Sequence, residues 1–198
     1  MKCVHLQVVS DEVVERVDAA RNRALLLNSA AALIAERGVD CVSIDAVAAK
    51  AGVGKGTVFR RFGSRSGLMH ALLNRFEEEL QEGFLFGPAP LGPGAPPSER
   101  IVAFGVARLE FIRDHGDILR EAESSVGTRY ASSYSVYVMH VAMLLRQAQV
   151  HGDYRLLADS LLASLDASLV LYQKRDLQIP LIRIVENWRT FVLHLTSE

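Results

Sequence analysis

Apolar residues recur every three or four positions along nearly all of this 198-residue chain, and that spacing limits the fold more than any other feature. Leu26, Ala30 and Leu33, for example, fall on one stripe of a helix predicted over residues 23–37. No stretch alternates with period two for long enough to indicate a strand. The sequence therefore predicts an all-α protein of about nine or ten helices.

A proline-rich segment separates these helices into two groups. Residues 87–97 contain five of the six prolines in the chain. Proline lacks the backbone N–H that a helix interior needs, so this segment is predicted to be a loop. We expect an N-terminal domain of residues 1–82 and a C-terminal domain of residues 83–198, with the loop at 83–97.

Composition excludes several classes of protein. The chain is 49% hydrophobic and 23% charged, which is too apolar for a disordered protein, and its apolar runs are far shorter than the roughly 18 residues of a membrane helix. Two cysteines do not make a disulfide framework, and the N-terminus lacks the long apolar core of an export signal. We expect a cytoplasmic protein without a membrane partner.

The net charge of −1 hides an asymmetry along the chain. Residues 1–66 carry a net +3 and residues 67–198 a net −4. Between Ala46 and Phe76 no residue is acidic, and six are basic: Lys50, Lys55, Arg60, Arg61, Arg65 and Arg75. Such a run is often only a solvated face, so its position in the fold decides its meaning.

Residues 44–63 fit the helix-turn-helix template, in which two short helices cross steeply. Ala48 is small enough for the close approach, Gly52 supplies the positive φ of the turn, and Val58 points back toward the first helix. The second helix of such a motif enters the major groove of DNA.

The outward face of that second helix is polar and cationic. At about 100° per residue, Thr57, Arg60 and Arg61 lie opposite the inward-facing Val58 and Phe62. Arginine can pair with guanine O6 and N7. A helix N-terminus attracts phosphate, which favours phosphate contacts there by Lys55 and the N–H groups of Gly56 and Thr57, and by Ser43 and Arg65 at the starts of the neighbouring helices.

The run SIDAVAAKAGVGKGTVFRRFGSRSGL at residues 43–68, preceded by Arg37-Gly38, resembles the DNA-binding domain of the TetR family of bacterial transcriptional regulators. The resemblance covers about residues 23–73. It implies an all-α homodimer with an N-terminal three-helix DNA-binding domain and a C-terminal domain for ligand binding and dimerisation, and in most cases a repressor that a small molecule releases. The predicted DNA-binding residues are Ser43, Lys55, Gly56, Thr57, Phe59, Arg60, Arg61 and Arg65.

Three positions depart from the pattern of that family. Phe59 stands in place of the usual tyrosine, so it keeps the ring but lacks the hydroxyl that would bond a phosphate. Arg65 replaces the usual lysine and adds a planar, two-pronged donor. Gly63 stands where proline or another residue that stops a helix is more common.

In the C-terminal domain, aromatic residues share helical faces. Core packing explains this pattern, and so does an apolar pocket with a few polar groups, as small-molecule sites usually are. The candidate ligand-binding residues are Phe104, Phe111, Tyr130, Tyr134, Tyr137 and His140, for an unidentified apolar or aromatic effector. Charged residues that could orient it are Arg108, Arg113, Glu121 and Glu123.

The last two predicted helices, residues 154–174 and 180–196, carry apolar stripes. Packed against a second copy they would form a four-helix bundle, although burial within one chain is the alternative. A dimer would bind a pseudo-palindromic operator in double-stranded DNA. The expected stripes are Leu161, Leu165, Leu169 and Tyr172 in the first, with Ala163 and Ala167 allowing close approach, and Leu181, Ile184, Trp188, Phe191 and Leu195 in the second.

Rival motifs are weaker. The run from Gly54 to Thr57 lacks the first glycine of a phosphate loop and the hydroxyl residue after its lysine. His115-Gly-Asp117 and His151-Gly-Asp153 are typical of helix ends rather than of metal sites. We therefore expect no enzyme, metal or cofactor. An enzyme with an appended DNA-binding head and a helical regulator whose C-terminal domain binds a protein partner remain alternatives.

Overall fold

The computed structural model describes residues 7–122 and 132–197, and within them it is helical with no strand. A short 3-10 turn, Val39–Cys41, joins the first two helices. The all-α prediction is confirmed. The helices are α1 Gln7–Arg37, α2 Ile44–Ala51, α3 Lys55–Phe62, α4 Arg65–Phe86, α5 Pro97–Ala122, α6 Ser132–Gln147, α7 Tyr154–Ala163, α8 Ala167–Arg175 and α9 Leu181–Thr196.

The chain divides into two compact units, Met1–Leu72 and Leu73–Glu198. The division falls inside α4, ahead of the residue 82 at which we expected the first domain to end. The N-terminal unit is built on α1, which is one continuous helix where the sequence left open whether residues 10–21 were separate. Gly38, at φ +84°, follows its last residue. The core of this unit includes Leu26, Leu27, Ala30, Leu33, Val47, Ala48, Val58, Leu68 and Leu72.

In the C-terminal unit α5 packs against α6, α8 and α9. Gly105 lets α5 and α9 approach closely, because a Cβ atom there would lie 1.9 Å from Cε2 of Trp188. The indole Nε1 of Trp188 donates a hydrogen bond to the carbonyl of Val102 at 3.1 Å. Glycine thus lets a buried ring lie directly on the backbone of the neighbouring helix.

The expected helix end at Gly116 is wrong. Helix α5 continues through Gly116 to Ala122. Glycine is needed there for packing, because a Cβ atom at Gly116 would lie 2.7 Å from Cδ2 of Leu171 on α8. The same residue type therefore marks a close contact where we expected a helix terminus.

The helix expected over residues 154–174 is in fact two helices. The Asp166 carboxylate accepts from the N–H of Leu169 at 3.0 Å and begins α8 after α7 has ended. Taken together, α7 and α8 span Tyr154–Arg175, a segment with the length and hydropathy of a membrane helix. The core helices of soluble proteins pass the same test, so this is weak evidence for a membrane span. The Asp166 cap interrupts that segment in the middle.

Some residues of the predicted apolar stripes on these helices are buried and others are exposed to solvent. Buried inside their own subunit are Leu161, Leu165, Ala167, Ile184 and Trp188, which corrects the expectation that all of them face a second copy. The exposed large apolar residues on α8 and α9 are Leu169, Tyr172, Ile182, Phe191 and Leu193.

Candidate nucleic-acid interface

The crossing of α2 and α3 follows the spacing that the sequence predicted. Val47 and Val58 are fully buried and Ala48 nearly so. Gly52 takes the left-handed conformation, with φ +68°, and its N–H donates to the carbonyls of Ala48 and Ala49. The predicted roles of Ala48, Gly52 and Val58 in this turn are confirmed.

With Val58 facing inward, the opposite face of α3 is presented to solvent. Gly56, Phe59, Arg60 and Arg61 are exposed, and Thr57 is half-buried. At about 100° per residue the centre of the outward face falls on Gly56 and Arg60, with Thr57 and Arg61 on one flank and Phe59 on the other. Arg60 is therefore the arginine best placed for a base edge.

The N-terminus of α3 is open to an anion. Its N-cap residue, Gly54, makes no side-chain capping bond. A Cβ atom placed on Gly56 would have no atom within 4 Å of it. The first N–H groups of a helix attract phosphate where they lack partners. The N–H of Thr57 donates to the carbonyl of Gly54 at 2.9 Å, so of the two predicted N–H groups that of Gly56 is the better candidate. By contrast, the Ser43 hydroxyl caps α2 by accepting from the N–H of Ala46 at 3.1 Å, and it keeps its own proton to donate.

Two predicted DNA-binding cations have partners inside the N-terminal unit. Lys55 lies 2.9 Å from a carboxylate oxygen of Asp45, with both side chains exposed. Exposed ion pairs are worth about 0–1 kcal/mol, so a phosphate can replace Asp45 at little cost. The Arg61 guanidinium donates to the carbonyl of Ala19 on α1.

Arg65 has a structural role that the sequence did not reveal. Its Nε donates to the carbonyl of Val42 at 2.7 Å and its Nη2 to that of Val39 at 2.8 Å. Both carbonyls belong to the connection between α1 and α2, so the planar guanidinium at the start of α4 fixes that connection. Its predicted contact with DNA stays a prediction.

We expect Arg65→Lys to destabilise the N-terminal unit by about 1.5 kcal/mol, because an ammonium cannot bond both carbonyls in this geometry. Thermal unfolding followed by circular dichroism measures this change. Arg37→Lys, at an exposed position of α1, is the matched control. Unchanged stability together with weaker DNA binding would instead indicate that Arg65 contacts phosphate directly.

In the C-terminal unit, three of the predicted ligand residues lie together around Phe84, which the sequence analysis missed. The ring centroid of Phe84 is 5.4 Å from that of Phe104, 6.1 Å from Tyr137 and 4.3 Å from His140. Phe111 adjoins them through Arg108, whose Cζ lies 5.0 Å from the Phe111 ring and 5.3 Å from the Tyr137 ring. We call these six residues the buried aromatic cluster.

Polar atoms of this cluster are buried without hydrogen-bond partners. They are Nη1 of Arg108, Oη of Tyr137 and both ring nitrogens of His140. Burial, reinforced by the charge of Arg100, lowers the pKa of His140 to about 4, so its ring is neutral at pH 7. Burial also raises the pKa of the Tyr137 phenol. Each unpaired buried polar group costs about 1–3 kcal/mol, which makes the cluster a candidate site.

The other predicted ligand residues lie elsewhere. The Tyr134 hydroxyl donates to Asp159 at 3.1 Å, and Arg113 pairs with Asp114 at 2.7 Å on the surface. Tyr130 and Glu123, with the side chain of Glu121, lie outside the described residues.

The two histidine-glycine-aspartate motifs have structural roles. His115 stacks on Phe76 at 3.9 Å, and burial lowers its pKa. Asp153 caps α7 by accepting from the N–H groups of Arg155 and Leu156. Within residues 7–122 and 132–197, no three His, Cys, Asp or Glu side chains are grouped to hold a metal ion.

Residues 26–72, which contain the α2–α3 crossing, match the family model for bacterial regulatory proteins of the tetR family. Over this segment the chain is similar to the tetR family of bacterial regulatory proteins. No curated protein sequence matches it.

Solved structures resemble this chain over most of its length. A TetR-family regulator from Pectobacterium atrosepticum is 24% identical, with 92% of this chain and 98% of that chain covered and a TM-score of 0.75. A protein from Saccharomonospora viridis described as a transcriptional regulator, in complex with choline, is 23% identical, with 88% and 97% covered and a TM-score of 0.69. SmeT in complex with triclosan is 18% identical, with 88% and 90% covered and a TM-score of 0.60. These similarities confirm the fold.

Proposed function

We propose that this protein is a regulator of the TetR family: a homodimeric, ligand-responsive repressor that acts in the cytoplasm by regulation and not by catalysis. Each subunit places α3 in the major groove of one half-site of a pseudo-palindromic operator. The observation that carries this proposal is the outward face of α3, where Gly56 and Arg60 are exposed and the buried Val58 anchors the helix. Two such helices about 34–36 Å apart would reach successive turns of the groove.

Selection of randomised duplex DNA by the purified full-length protein tests the proposal. We expect an inverted repeat whose half-site centres are about one helical turn, or a multiple of it, apart. Retardation assays should then show weaker binding at higher salt, because phosphate contacts release counterions. Selected sequences without an inverted repeat, or binding no tighter than to random DNA, would refute the operator model.

The apolar face of α8 and α9 supports a dimer. Leu169 and Tyr172, three residues apart on one face of α8, are 40% and 51% exposed, and Phe191 on α9 is 42% exposed. Large apolar side chains exposed on successive helices are typical of an interface between copies. We propose that these faces pair across a twofold axis, while the inward residues of the same helices pack on α5.

We expect Phe191→Ala to weaken the dimer by about 1–2 kcal/mol, because a truncated aromatic anchor loses apolar contact in both subunits. Sedimentation equilibrium measures the dissociation constant of the dimer. Met139→Ala, which removes an apolar side chain of α6 that is 63% exposed, should leave it unchanged. Equal dissociation constants for the wild type and both variants would place the interface elsewhere.

A small molecule in the C-terminal unit is the proposed signal. The solved complexes with triclosan and choline support a small molecule rather than a protein partner. Phe84 belongs both to the buried aromatic cluster and to α4, which begins at Arg65 beside the DNA-binding helices. If an effector binds more tightly to the protein with α4 in one position than in another, it favours that position. The change in DNA affinity then equals the difference between the effector's two binding free energies.

A further inference from the structure

The buried aromatic cluster has donors that lack acceptors. Tyr137 and His140 are 3% and 4% exposed, and their hydroxyl and ring nitrogens have no partner. Nη1 of Arg108 is also buried and unpaired, and the Cζ of its guanidinium lies 5.3 Å from the centroid of the Tyr137 ring. A ligand that formed hydrogen bonds with these atoms would remove the free-energy cost of burying them without partners.

The charge around the cluster is positive. Arg108 faces Tyr137, and Arg100 faces His140 from the same helix α5. The Arg100 Nη2 donates to the carbonyl of Phe84 at 3.1 Å, but its buried Nε has no partner. Glu77 on α4 is the acidic side chain whose charge reaches Tyr137. Two guanidinium groups against one carboxylate favour a further negative charge.

We propose that the cluster binds the carboxylate of a lipophilic acid. Arg108 and the Tyr137 hydroxyl donate to the carboxylate oxygens, and the neutral His140 ring supplies one further N–H. The apolar body of the acid packs against the rings of Phe84, Phe104 and Phe111. This inference rests on the proposed function, which assigns an effector to the C-terminal unit, and it adds the chemical class of that effector.

The same geometry excludes a cationic ligand. Choline, which the Saccharomonospora viridis protein holds, would meet two guanidinium groups here, each with a buried nitrogen that has no partner. An uncharged amide would satisfy the donors only in part and would bring its own N–H groups toward them. The carboxylate is therefore distinguished from both by charge and by its lack of donors.

The first experiment compares matched ligands on the full-length protein. The probes are 4-phenylbutyrate, 2-naphthylacetate and decanoate, each with its primary amide, together with choline. Calorimetry and thermal shift should show at least one acid binding about tenfold or more tighter than its amide, and no binding of choline. If no acid binds more tightly than its amide, or if choline binds, the proposal is wrong.

Variants separate a ligand site from a structural cluster. Tyr137→Phe removes an unpaired hydroxyl, so it should raise the melting temperature without ligand and weaken the binding of the preferred acid about tenfold. Arg108→Gln and the milder Arg108→Lys should reduce the preference for acid over amide. Arg113→Gln, an exposed arginine of the same helix, is the control and should change neither. A lower melting temperature for Tyr137→Phe, with unchanged acid binding, would indicate a purely structural role.

DNA retardation keeps this inference separate from the function on which it rests. Without ligand, Tyr137→Phe should bind the operator as the wild type does. Operator binding without any preference for an acid would overturn only the inference. Acid binding by a protein that fails to bind DNA specifically would overturn the proposed function, and acid binding that leaves operator affinity unchanged would exclude an effector role.

Discussion

Arg60→Ala is expected to weaken operator binding by the dimer by about 2–6 kcal/mol, roughly 30-fold to 20,000-fold. A bidentate arginine–guanine pair contributes about 1–3 kcal/mol, and the twofold axis of the proposed dimer places one such pair in each half-site. The affinity loss should depend on sequence, because the lost contact is to a base edge.

The structure distinguishes Arg60 from its neighbour. Arg61 lies on the flank of α3 and donates to the carbonyl of Ala19, whereas Arg60 lies at the centre of the exposed face. Arg61→Ala should therefore weaken binding to all sequences to a similar extent and change base preference little. Fluorescence anisotropy on the selected operator, and on versions substituted at each position, measures both effects.

Arg155→Ala is the matched control, because it removes the same charge from a surface pair with Asp159 in the C-terminal unit. It should leave operator affinity within about twofold, since exposed pairs contribute little. If Arg60→Ala weakens binding to operator and random DNA equally, Arg60 contacts phosphate and not a base.

The helix-turn-helix could be predicted because its determinants lie close together in sequence. Ala48, Gly52 and Val58 act within eleven residues, and each has a local physical reason for its type. Ser43 and Asp153 were predictable for the same reason, since a capping side chain bonds backbone within three residues of itself.

Long-range contacts were not predictable. The Arg65 bonds reach 23 and 26 residues back to Val42 and Val39, and no periodicity marks which carbonyls lack helical partners. Gly116 carried the same local signal as Gly52, yet its cause is a side chain 55 residues away. The sequence shows that glycine stands at a position. Whether a turn or a close contact requires it depends on the residues that pack there.

Part of the buried aromatic cluster could be predicted from the sequence and part could not. The sequence analysis named Tyr137 and His140 as candidate ligand residues, and both contact Phe84 in the cluster. Spacing could not bring in Phe84 from α4 or show that the polar atoms lack partners, because both facts depend on three helices meeting. Predicting the partners of a buried polar atom requires the whole packing arrangement.

Gly105→Ala should destabilise the C-terminal unit by about 2–3 kcal/mol. The new methyl group would lie 1.9 Å from Cε2 and 2.0 Å from Nε1 of Trp188, a ring only 2% exposed. Overpacking a well-filled core costs about 1–3 kcal/mol, and displacing the indole would also break its bond to Val102. The usual gain from replacing a helical glycine by alanine, about 0.5–1 kcal/mol, offsets only part of this loss.

Trp188 is the only tryptophan in the chain, so its emission in a urea titration reports on this contact directly. The midpoint should fall for Gly105→Ala, and the native emission should shift as the ring moves toward solvent. Gly56→Ala is the matched control, since it is also a helical glycine but has no atom within 4 Å of the new Cβ. It should leave the Trp188 transition unchanged while crowding the face of α3 against DNA. Gly105→Ala with an unchanged or higher midpoint would show that α9 moves away from α5 freely, and that the indole does not hold the two helices together.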